Sequence, residues 1–191
     1  MTLATILNKV EEITVRPDAR AKGLLSLNNL IQDICNNADY PEDLIETTVL
    51  NPTPGEYTGT ISLSLSPLPD VRKIEYVLAG GKPQKSIKPR NAVCQNGCPE
   101  TDTYYRAGSN IHIYASTTFD IVYLGYYQHT GYLPETATHW LETKAEHLLV
   151  LGTAAAVFRA TGDDNSASEY EAQYRMMRQQ FRRMLADSED L

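Results

Sequence analysis

The sequence predicts an α+β protein: a helical bundle of N-terminal helices plus two C-terminal helices, with an inserted antiparallel β unit. Three observations carry this. Apolar residues recur at three- and four-residue steps near both ends of the chain. From about Leu44 to Gln128 the period falls to two, as a half-buried sheet requires. Leu148–Phe158 is almost unbroken in apolar residues, interrupted only by Gly152 and Thr153.

At the N-terminus, Thr2–Ile13 reads as a helix with Leu3, Ile6, Leu7, Val10 and Ile13 on one face and Thr2 as its N-cap. Pro17 in "RPD" cannot continue the hydrogen-bond ladder. A second helix follows to about Asn36, burying Leu24, Leu27, Ile31 and Ile34, widened by Leu30 and Cys35. The turn formers of "NNADYPED" end it.

In the β unit, "TISLSLS" points Ile61, Leu63 and Leu65 inward and its serines outward. "VRKIEYVLAGG" is a strand stopped by Gly80-Gly81, and "DTYYRAGSNIHIYAS" is a hairpin turning at "AGSN". "TFDIVYLGYYQ" is a last strand rich in β-branched and aromatic residues. "GKPQKSIKPR" reads as a basic loop.

After "HTGYLPETA" the helical period returns. Glu135 or Thr138 can begin a long helix, which Gly162 and Asp163 end. Ser166 and Glu169 form a capping box for the final helix. Ala167, Tyr170, Tyr174, Met177, Phe181 and Met184 then make its packing seam. The predicted divisions are bundle helices at 1–43, the β unit at 44–130, the C-terminal helices at 131–186 and a fraying acidic tail at 187–191.

Composition narrows the function classes. With 42% hydrophobic and 21% charged residues over 191 positions, the chain is expected to fold as a globular protein. A net charge of −7 supplies no global field for nucleic acid. The start "TLATILNKVEEI" lacks a basic leader, and the longest apolar run is about half a membrane span. No signal peptide and no membrane association are expected.

No constellation points to catalysis, so no enzyme activity, catalytic residue, cofactor or metal is expected. Cys94 and Cys98 in "CQNGC" are half a zinc site, but His112, His129, His139 and His147 show no spacing to complete it. Glu142 and Glu146, four apart beside His139 and His147, are read as a solvated first turn favoured by the helix dipole.

The greasy helix has a structural reading. A helix apolar all round is buried all round, so it is placed at the bundle centre. Gly152 and Ala154–Ala156 allow close backbone approach. Leftover apolar surface is expected between subunits. Twelve tyrosines against three phenylalanines fit the same idea, because tyrosine suits surfaces buried against a partner. Interface candidates are Tyr126 and Tyr127 in the β unit, with Arg175, Arg178 and Arg182 along one edge of the last helix.

The order of elements resembles the head-to-tail adaptor (connector) proteins of tailed bacteriophages. The matching pieces are "VRKIEYVLAGGKPQKSIKPR", "YYRAGSNIHIYAS", "IVYLGYYQHTGYLP" and "HWLETKAEHLLVLGTAAAVFRATGDDNSASEYEAQYRMM". The resemblance covers the whole chain in layout. It implies a structural virion protein, assembled in the bacterial host cytoplasm and placed at the head–tail junction. Its partners would be further copies in a ring, typically twelve-fold, the portal protein and a tail or nozzle protein. DNA would pass through the ring's channel without sequence-specific binding. "CQNGC" departs from the family pattern. The competing reading is a tail or fibre binding module whose tyrosine-rich sheet holds a carbohydrate or peptide.

Overall fold

The computed structural model describes residues 2–50, 59–68, 70–89, 101–116, 119 and 121–189. It is mixed α+β, as the sequence predicts. The chain divides into a helical unit, Met1–Ala38 with Thr130–Leu191, and a β unit, Asp39–His129. The first junction therefore falls earlier than expected. Asp39 belongs with the sheet because its carboxylate pairs with Arg72 and Lys73 at 3.0 and 2.5 Å.

In the helical unit, α1 (Leu3–Thr14) buries Leu3, Ile6, Leu7 and Val10. The Thr2 side chain makes no cap hydrogen bond among the described residues. Instead, the Leu3 and Ala4 N–H groups donate to the carbonyls of Ala137 and Glu135 at 3.1 and 2.9 Å, so a distant segment satisfies the helix end. The chain turns through Pro17–Ala19 into α2 (Arg20–Asn36). Its buried face is Gly23, Leu27, Asn28, Ile31, Ile34 and Cys35, while Leu24 and Leu30 are half-buried.

The expected long helix is two helices. Leu141–Lys144 (α3) is a single turn, Ala145 breaks it at φ −136° and ψ 30°, and α4 runs Glu146–Ala160. Around α4 pack α1, α2 and the last helix, α5 (Asp164–Glu189). Its all-round apolarity is thus largely explained inside one chain. At Gly152 an added Cβ would lie 2.7 Å from Leu30 Cδ2 and 3.0 Å from the Tyr174 ring, so what approaches closely is a pair of side chains and not the neighbouring backbone its sequence predicts.

Gly162, at φ 86°, turns the chain out of α4. The expected capping box is replaced by an Asp163 cap. The Asp163 carboxylate accepts from the Ser166 N–H at 3.1 Å and from its hydroxyl at 2.7 Å. Ser166 therefore lies inside the first turn. Of the seam, Ala167 and Phe181 are buried, Tyr170, Tyr174 and Met177 are half-buried, and Met184 is 53% exposed. The predicted tail is helical through Glu189, and residues 190–191 lie outside the described residues.

The β unit holds two four-stranded sheets that share one core. One sheet has the order β1-β8-β3-β4: Leu44–Leu50, Ile121–Gln128, Val71–Ala79 and Lys82–Pro83. The other has the order β2-β7-β6-β5: Gly59–Ser64, Asn110–Ala115, Thr103–Ala107 and Lys85–Ser86. Neighbours are antiparallel except β5 and β6. Ile61, Leu63 and Leu65 point inward with serines outward, as their alternation predicts. The "GKPQKS" stretch is not simply a loop. Gly80 and Gly81 take φ 55° and 79° in a two-residue turn, after which the chain adds a short strand to each sheet.

Candidate functional site

On the helical unit, α1 and α5 both lie against α4 and leave the α4 edge at His147–Leu151 between them. The result is two clefts that share Glu146 and His147 and form one trough. Ala145, Leu148, Val150 and Leu151 supply its apolar floor. Lys9, Glu12 and Ile13 of α1 make one wall, and Tyr170, Gln173, Met177, Phe181 and Met184 of α5 the other. Lys9 pairs with Glu146 at 2.5 Å across the trough.

The arginine candidates run along the far edge of α5, and they differ. Arg178 is committed within the chain: it pairs with Asp33 of α2 at 2.5 Å and lies 5.9 Å from the Tyr174 ring centroid. Arg175 pairs with Glu171 one turn earlier, yet its side chain is 72% exposed. Arg182 is exposed, as is Arg183, and neither forms an ion pair among the described residues. The available part of the edge is therefore Arg175 and Arg182.

The tyrosine candidates are not on the surface. Tyr126 is 2% exposed, in the core shared by the two sheets, so it cannot be an interface residue. Its place follows from β8 parity, with Val122, Leu124 and Tyr126 inward. Tyr127 is 6% exposed, with Arg72 and Lys73 lying 5.4 and 5.6 Å from its ring centroid. Among the described residues, the exposed tyrosines are Tyr123 and Tyr132. On the second sheet, Tyr105 and His112 stack with centroids 4.7 Å apart.

Glu142 corrects the solvated-turn reading. It is 1% exposed, its Oε1 accepts from the His139 N–H at 3.2 Å, and its Oε2 has no hydrogen-bond partner among the described residues. Burial pushes its carboxyl above the usual range, and the His139 N–H opposes that. Glu146, half-buried, keeps its pairing with Lys9. The sequence reading also misses Asn28, a buried amide in the middle of an apolar stripe. The regular run of Leu24, Leu27, Ile31 and Ile34 hides it. Its one local signal is the Asn28-Asn29 pair inside a helix, where asparagine is a poor former.

Lys82, Lys85 and Lys88 are all exposed beside the short strands, and Arg90 lies outside the described residues. Cys94 and Cys98 also lie outside them. No described helix is long and apolar enough to cross a membrane. No protein-family model matches the chain, and a search of curated proteins finds no significant match.

Proposed function

We propose that the protein is a structural virion subunit, a head-to-tail adaptor of a tailed bacteriophage. Copies close into a ring that joins the portal to the tail or nozzle and continues the DNA channel. In this reading the chain has no catalytic role, passes DNA without reading its sequence, and is assembled in the host cytoplasm. The supporting observation is the trough between α1 and α5, where Leu151 is only half-buried and Met184 is 53% exposed above a floor of buried Ala145, Leu148 and Val150. The layout that resembles the adaptor family supports the same reading.

The alternative is a tail or fibre binding module. The Tyr105–His112 stack favours it, as a flat aromatic surface suits a sugar ring or peptide. Light scattering on the purified protein, alone and mixed with portal, separates the two. The adaptor reading expects a multi-subunit ring in at least one condition. A species that stays monomeric in both, and retains a sugar or peptide, supports the binding module.

A further inference from the structure

We infer that the trough receives a second copy of this chain, in a head-to-tail contact with the arginine edge of the neighbour's α5. This rests on the adaptor reading, and it assigns the two surfaces by which one subunit meets the next. A closed ring needs two different, mutually complementary patches on each subunit. The helical unit carries such a pair on opposite edges of a single helix.

On α5, Gln173 and Gln180 face the trough, while Arg175 and Arg182 follow each of them by two residues. Two residues turn a helix by about 200°, so the arginines lie on the opposite edge. Contacts agree with that geometry, because the arginine edge reaches α2 through Arg178 and Asp33. A neighbour that docks its arginine edge into this trough presents its own trough on the far side, ready for the next copy.

The charges match. Glu12 is exposed on the α1 wall and Glu169 is exposed one turn before Gln173 on the same edge of α5, while Glu146 at the trough centre is already answered by Lys9 within the chain. The neighbour's edge offers exposed Arg175 and Arg182. Leu151 and Met184 are only partly covered in the trough. An apolar floor inside a charged rim is the ordinary layout of a specific protein–protein contact.

The test uses exposed residues, so each variant is expected to fold. Arg175→Glu with Arg182→Glu reverses one surface, and Glu12→Arg with Glu169→Arg reverses the other. Sedimentation velocity on the full chain reads ring formation, and circular dichroism melts check folding. Each double variant should weaken assembly by roughly tenfold or more, because like charges then face each other. The combined quadruple variant should recover most of it. Wild-type rings with unaffected double variants would overturn the docking and leave the adaptor reading standing. So would rings lost in both double variants and not recovered in the quadruple. A wild type that stays monomeric, with portal present, would overturn both.

Discussion

The side-chain amide of Asn28 clasps the peptide of Leu133, donating from Nδ2 to its carbonyl at 3.0 Å and accepting from its N–H at 2.6 Å. Its Nδ2 also donates to the Leu24 carbonyl at 3.0 Å. Asn28 is 1% exposed, so this pairing fixes the returning 130–140 segment to α2. That segment in turn caps α1 through Ala137 and Glu135. One buried amide thus ties three parts of the helical unit together.

Replacing it should be costly. Asn28→Leu leaves the Leu133 peptide groups without their partner and should destabilise by about 2 kcal/mol. Denaturant melts would show the loss, and amide exchange should accelerate at Leu133, Leu3 and Ala4. Unchanged exchange at Leu3 and Ala4 would mean the segment is held without Asn28.

Individual residues show how much of this is legible in the sequence. The central helix can be read because an apolar run of that length has few other uses in a globular chain. Tyrosine chemistry suits a sheet core and an interface equally, and what places Tyr126 in the core is its parity with Val122 and Leu124, a signal the sequence reading does not use. The last helix is legible, but its cap is ambiguous between Ser166 and Asp163. The two have the same chemistry three residues apart, and only the Gly162 turn decides between them. Glu142 reads as solvated because acids at a helix start usually are. Its burial comes from packing that local sequence does not record.

A second relationship lies in the sheet. Tyr76 of β3 lays its ring over Gly125 of β8, where an added Cβ would come within 2.2 Å of the ring, and its hydroxyl donates to Glu46 of β1 at 2.5 Å. The aromatic covers the bare glycine backbone, a device known to stabilise strands. Gly125→Ala should therefore cost about 1–3 kcal/mol by displacing the ring. The same change in a Tyr76→Ala background should cost much less, so the pair should be strongly non-additive in a double-mutant cycle. Additive losses would show that the ring is not what excludes a side chain at 125.

Glu142 makes a pH-dependent prediction. Its folded pKa lies above the ordinary value near 4.5, chiefly through burial. Between those two values the folded protein holds more protons than the unfolded chain, so stability falls as pH rises through the window. Below the ordinary value the group contributes no loss. Glu142→Gln removes the titration, so its melting temperature relative to wild type should be higher at about pH 7 than at about pH 4. An offset that does not change with pH would show that the carboxyl is not held unfavourably charged.

Two residues of the same seam should behave oppositely. Phe181 is 7% exposed and lies near Ala145 and Leu148, so Phe181→Ala should cost about 3 kcal/mol. Met184 is 53% exposed, and Met184→Ala should change monomer stability by no more than about 0.5 kcal/mol. Equal effects in a melting comparison would mean that α5 docks differently at its end.

The central claim is that this chain is a ring-forming adaptor, and electron microscopy of the purified protein mixed with portal tests it most directly. The predicted result is closed rings of many copies, seated coaxially on the portal with an open channel through both. Portal particles that remain bare, beside a protein that stays monomeric at saturating concentration, would contradict it.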